Sequence, residues 1–147
     1  MNYYNENQSI SEFLENWLYD QSIMSKKEKE IFLSYYFSYV KNFGQNIKNQ
    51  YSRQSIDVIE LIDKSNEPPA LLEVGSGCGT ESLFFALKGA NVTGIDIRSN
   101  RLRVAKKRLK IIEDQGHKIN LKYVQSNIND VNGKFDIIYM SQTFHHI

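Results

Sequence analysis

The sequence predicts an α/β domain, a parallel sheet covered by helices on both faces, preceded by a wholly helical extension. Three observations carry that reading. Up to residue 67 apolar side chains recur every three to four positions; beyond it, short apolar runs alternate with amphipathic ones. Where the first such run meets the next helix, in "LLEVGSGCGT" at residues 71–80, three glycines stand at alternate positions.

Residues 1–67 form the extension. Ile10, Phe13, Leu14, Trp17 and Leu18 share one helical face, and Ser9 with Glu12 has the form of a capping box. Ser25 and Glu28 open a second helix, whose stripe runs through Ile31, Phe32, Tyr35, Tyr36, Tyr39, Val40 and Phe43 to a stop at Gly44. A third helix spans Ser52 to about Asp63, with Ile56, Ile59 and Ile62 on one side. Pro68 and Pro69 then forbid further helix and hold Glu67 extended.

Residues 68–147 carry the sheet. Ala70–Val74 is the first strand, and Thr80–Lys88 a helix closed by Gly89. Residues 91–97 are the second strand, followed by a helix from Ser99 to about Gln115 closed by Gly116. Residues 120–125 and 135–141 are the third and fourth strands. The order βαβαβ, then β, gives a parallel sheet.

Composition narrows the function classes. At 147 residues with 41% hydrophobic and 24% charged content, the chain has the means to bury a core. Eighteen basic against 17 acidic residues offer no global attraction to nucleic acid or an anionic membrane. Cys78 is the single cysteine, so an internal disulfide and a cysteine metal cluster are excluded. The amino-terminal residues lack the pattern of a secretory signal, and no apolar run reaches a membrane span. The expectation is a soluble, cytoplasmic protein.

A strand that passes through glycines into a helix gathers free N–H groups at one spot and lets a ligand touch backbone. Dinucleotide enzymes use G-x-G-x-x-G, with the pyrophosphate on the helix end. Here the spacing is Gly75, Gly77, Gly79, with Thr80 in the last position, and Glu73 stands two residues ahead of the first glycine. An acid there opposes a pyrophosphate and suits a cationic ligand. Asp96, at the end of the second strand, stands where a carboxylate accepts from both hydroxyls of a ribose.

Together "EVGSGCG", "GIDI", "YVQSNINDV" and "FDIIYMSQTFHHI" resemble, in order and spacing, the motifs of class I S-adenosylmethionine-dependent methyltransferases; the resemblance covers residues 68–147. It implies a Rossmann-like three-layer parallel sheet with S-adenosylmethionine as cofactor. Glu73 and the turn of Gly75, Ser76, Gly77 and Gly79 would face the methionine end. Asp96 would hold the ribose, Ile97 would touch adenine, and Asn127 with Ile128 would read its edge. Where the family commonly has Asp, this chain has Asn127, whose amide oxygen still accepts but without charge assistance. Ser141 and Gln142 would lie beside the methyl donor and acceptor. The family works largely by positioning, so no catalytic residue is assigned.

Competing readings apply to other conspicuous residues. Cys78 reads as a space-filler, since no activating base is evident. His145 and His146 match the start of the family's next helix, and no third ligand with metal spacing accompanies them or His117. Seven Lys or Arg between residues 98 and 110 would fit a nucleic-acid patch, but the inward stripe Leu102, Ala105, Leu109 and Ile112 makes them mostly a solvated face. The aromatic residues of the extension read as core or lid before an aromatic cage.

The family's strand order is 3-2-1-4-5-7-6, and only its first four strands are present. The fourth would then be an open edge, satisfied by a continuing longer protein, by a second copy or separate subunit, or marking a degenerate remnant. The first is favoured. The leading function is methyl transfer to a small molecule; a non-catalytic cofactor-binding subunit acting through that edge is the alternative, and Glu73 and Thr80 argue against a nicotinamide oxidoreductase.

Overall fold

A computed structural model describes residues 1–141. Its elements are α1 (Ile10–Tyr19), α2 (Lys26–Tyr35), α3 (Phe37–Lys41), α4 (Gln45–Lys64), β1 (Ala70–Val74), α5 (Thr80–Leu87), β2 (Asn91–Asp96), α6 (Ser99–Asp114), β3 (Leu121–Gln125), a short 3-10 turn (Ile128–Asp130) and β4 (Ile137–Met140). The sheet order is β3-β2-β1-β4, all parallel, as expected.

Both capping boxes form. Glu12 N–H donates to Ser9 Oγ at 3.2 Å and Glu28 N–H to Ser25 Oγ at 3.1 Å, and each glutamate reaches back to the cap amide. Two helical expectations need correction. The continuous second helix breaks at Tyr36 (φ −98°, ψ 26°), and beyond the break Phe37 and Val40 face solvent. The physical reason lies in the Tyr36 phenol, which bonds Thr80 Oγ1 at 2.5 Å inside the protein. Gly44 is not a stop. Its φ of −73° is ordinary, and it caps the amino end of α4, which begins at Gln45, seven residues earlier than the periodicity of its isoleucines indicated.

Register separates the sheet's two faces. Leu71, Val92, Ile137, Tyr139, Leu121 and Tyr123 point to the helices, and one apolar cluster joins most of them to α1, α2, α4, α5 and α6. The extension therefore shares its core with the sheet. On the other face Leu72, Val74 and Ile95 are covered by Ile128, Val131 and Phe135, while Ile138 (58% exposed) and Met140 (41%) on β4 lie open. Among the described residues, helices occupy one face.

Helix α6 corrects the view of its basic face. Leu102, Ala105 and Ile112 are buried, yet so is Arg108, at 0% exposure. Its guanidinium lies 4.6 Å from the Trp17 ring centroid and 5.1 Å from that of Phe32.

Candidate functional site

The site begins with the turn between β1 and α5. Gly75 and Ser76 N–H groups both donate to Ile95 O at 2.9 Å, and Gly77 N–H donates to Asp96 Oδ2 at 2.8 Å. Asp96 Oδ1 accepts from Arg98 N–H at 2.8 Å. One carboxylate thus ties the glycine turn to the start of α6.

Two glycines are required there for different reasons. Gly77 has φ +56°, and a Cβ on it would run into the Tyr35 phenol. Gly79 has φ +95°, and a Cβ there would lie 2.9 Å from Ala105 Cβ and 2.5 Å from Tyr123 Oη. So Gly77 makes room on the side of α2, whereas Gly79 makes room for internal packing.

In front of the turn lies a cavity of about 1160 Å³. Gly75, Asp96, Ile97, Asn127, Ile128 and Ser141, six of the ten sequence-predicted residues, line it. Ile97 projects at 67% exposure, and Ile128 packs on the Leu72 cluster. Asn127 Oδ1 accepts from Asn129 N–H at 3.0 Å, capping the 3-10 turn. Ser141 Oγ donates to Gln54 Oε1 at 3.1 Å, joining the end of β4 to α4. Glu73, Ser76, Gly77 and Gly79 stand behind the wall: Glu73 and Ser76 are buried, and Gly77 is covered by Tyr35.

Sequence reasoning took the extension's aromatic residues as core or lid and named none of those in the opposite wall as site residues. Tyr35, Tyr36, Tyr39, Tyr51, Gln54 and Glu81 line the cavity from α2 to α5. Tyr51 Oη donates to Glu81 Oε1 at 2.9 Å. Burial pushes the phenols of Tyr36, Tyr51 and Tyr35 up, so all are neutral donors at ordinary pH. Desolvation also raises Glu73 well above the usual carboxylate range, reinforced by the neighbouring charge of Glu81. Glu81 itself is raised by desolvation against the opposing effects of its own amide, Tyr51 and Arg108. The sequence offered one signal for Glu81, an acid in the first turn after a glycine loop.

Arg108 was missed as well. Its Nη1 donates to Cys78 O at 2.7 Å, Thr80 Oγ1 at 2.9 Å and Tyr36 Oη at 3.5 Å, clamping the far end of the glycine turn. Cys78 is buried, and its thiol is pushed up to about 12, so it is a poor nucleophile. Among the described residues no group of three His, Cys, Asp or Glu is arranged to hold a metal, and no helix is long and apolar enough to cross a membrane. Gln142, His145 and His146 lie outside the described residues.

Comparison with known proteins agrees with this arrangement. A family profile described as a methyltransferase domain matches residues 72–147. The ubiquinone biosynthesis O-methyltransferase of Erwinia tasmaniensis is 33% identical over 81 residues, 52% of this chain and 31% of that protein. Among solved structures, the magnesium protoporphyrin IX methyltransferase of Synechocystis PCC 6803, with bound SAH, superposes with a TM-score of 0.56 at 17% identity, over 88% of this chain and 52% of that one. A putative RNA methyltransferase of Pyrococcus horikoshii gives 0.51 at 23% identity, over 65% and 44%. The chain therefore spans about a third to a half of these proteins' lengths. With the family profile covering the end of β1, the glycine turn, Asp96 and the three later strands, this chain belongs to the class I S-adenosylmethionine-dependent methyltransferase family.

Proposed function

We propose that the chain binds S-adenosylmethionine along the Gly75–Asp96–Asn127 side of the cavity and serves transfer of its methyl group to a small-molecule acceptor. The supporting observation is that the nucleoside-side residues and the tyrosine wall share a single cavity. The residues suit the cofactor. Asp96 has both oxygens held by backbone amides, which fixes its orientation and leaves lone pairs for two ribose hydroxyls. Ile97 and Ile128 offer apolar surface for a purine ring, and Asn127, whose oxygen caps a turn, keeps its NH2 group to donate to a ring nitrogen. A dinucleotide fits less well, because Glu73 and Glu81 flank the glycine turn and helix start on which its pyrophosphate would sit.

When bound, the cofactor supplies a sulfonium-activated methyl group. The protein's part is alignment and exclusion of water. Asp96 orients the sugar, while the Ser141–Gln54 bond and the Tyr35, Tyr39 and Tyr51 rings close the opposite side and hold the acceptor against the methyl. No side chain is assigned as base. An enclosed wall of this kind favours a small acceptor over a polymer, and the reading places the protein in the cytoplasm.

Parallel calorimetric titrations with S-adenosylhomocysteine and NAD test this. The expected result is binding of the first alone, weakened about tenfold or more in Asp96→Ala, where contacts to two hydroxyls are lost. Preferential binding of NAD, or an Asp96→Ala variant with unchanged affinity, overturns it.

A further inference from the structure

Helix α3 has no buried residue. Its side chains divide by helical spacing. Ser38 and Tyr39 line the cavity, whereas Phe37, Val40 and Lys41, at positions i, i+3 and i+4, share the outer face, with Phe37 56% and Val40 48% exposed. Ser34 and Ser38, both exposed, mark the cavity rim next to that face. A single exposed apolar side chain is ordinary. Two of them beside a cavity rim, with a cation among them, call for a partner.

The charge around this face selects the partner. Lys41 Nζ lies 4.7 Å from the Phe37 ring centroid, and Lys48 Nζ, which also pairs with Glu15, lies 5.7 Å from that of Phe43. From Ile31 to Ile56 the chain carries Lys41, Lys48 and Arg53 and no acid. Across the cavity stand Arg98 and Arg101, and no acid occurs from Ile97 to Ile112. Of the acids lining the cavity, only Glu30 is exposed. Protein interfaces are depleted of lysine, which disfavours a protein partner here. A ring and an aliphatic side chain flanked by ammonium groups instead suit the boundary of a lipid layer, where apolar atoms enter and cations remain with the phosphates.

We propose that the outer face of α3, Phe37 and Val40 with Lys41, docks the protein on an anionic lipid surface, with the cavity rim at the headgroup layer. The docking is peripheral and reversible, as befits so small an apolar face. It goes beyond the methyltransferase reading and does not depend on it. Where both hold, a small apolar acceptor dissolved in the lipid enters the cavity without crossing water.

The test is co-sedimentation of the full chain with vesicles of phosphatidylcholine alone or with about one-third phosphatidylglycerol, at fixed ionic strength. Retention on the anionic vesicles should be at least about tenfold tighter than on the neutral ones. The double variant Phe37→Ser, Val40→Ser and the variant Lys41→Glu should each weaken it about tenfold or more, while S-adenosylhomocysteine affinity, measured by calorimetry as a check on the fold, moves less than about threefold. No retention on anionic vesicles, or equal retention on both kinds, overturns the proposal. Unchanged retention of the double variant also overturns it, since the basic outer face of α6 would then carry the binding. So does concentration-dependent self-association of the wild type that the double variant loses, which would give the face to a second copy of the chain. S-adenosylhomocysteine binding without vesicle binding defeats the docking alone, and vesicle binding without S-adenosylhomocysteine binding defeats only the methyltransferase reading.

Discussion

Replacing Arg108 by methionine asks whether a buried cation stabilises this fold or merely survives in it. Favouring the wild type are two short hydrogen bonds from a charged donor, worth about 1.5–3 kcal/mol each, and desolvated ring contacts worth about 2 kcal/mol together. Against it stand the desolvation of the ion, several kcal/mol, and Nε and Nη2, which have no partner and cost about 1–3 kcal/mol each. These terms nearly cancel, so the difference on mutation is set by what is left behind. Methionine fills most of the volume but abandons the Cys78 carbonyl and the buried Thr80 hydroxyl, giving a loss of about 1–3 kcal/mol. Alanine adds a cavity beside Trp17 and Phe32 and raises the loss to about 3–5 kcal/mol, or roughly 10 °C in Tm at about 2–4 °C per kcal/mol. Urea unfolding of the three proteins measures this. Should the methionine variant match or exceed the wild type, the desolvation cost dominates and the view of Arg108 as a clamp on the glycine turn is wrong.

Gly77→Ala should lose about 1–3 kcal/mol from backbone strain at φ +56° and the collision with Tyr35; Tyr35→Ala in the same chain should restore part of it, and strictly additive losses would show that the two do not touch. For Glu81→Gln the sign of the pH effect is fixed. Folded-state pKa values of Glu73 and Glu81 lie above the unfolded value, so the folded state holds extra protons and loses stability as pH rises from about 4.5 through the raised values. The variant should therefore gain on the wild type between pH 5 and pH 8 in paired urea titrations, and a constant difference would deny the coupling. Tyr123→Phe removes a hydroxyl bonded to Ser82 Oγ at 2.8 Å within the core, leaving that partner short, and should cost about 1–2 kcal/mol; no change in urea midpoint would contradict it.

Local chemistry made much of this fold readable. Ser9 and Ser25 announce helix starts through glutamates three residues on, and those signals need nothing beyond the local chain. The glycine turn and Asp96 were readable because a strand, a turn and a helix follow one another in sequence, and of the six cavity-lining residues Gly75 lies in that turn and the other five follow it. What escaped depends on partners distant in sequence. Nothing around Tyr36 signals a break; the break comes with a hydroxyl on Thr80, 44 residues away. Arg108 looks like one of seven basic residues on an outer face until Trp17, Phe32 and Tyr36 are placed around it. Glu81 gained meaning only when α4 brought Tyr51 within 2.9 Å.

Those distant contacts also decide what kind of wall the extension makes. The break after α2 and the glycine turn meet in one network, with Tyr36, Thr80, Cys78 and Arg108 bonded together in the interior. Swinging α2 away as a free lid would break these bonds and expose Phe32 and Trp17, both wholly buried. At about 1.5–3 kcal/mol for each large apolar side chain and about 1 kcal/mol or more for each hydrogen bond, opening would cost a large share of the stability a domain of this size possesses. The tyrosine wall is therefore a fixed part of the cavity. Access for ligands must come past the exposed side chains at its rim, such as Ser34 and Ile97, whose displacement leaves the Arg108 network intact.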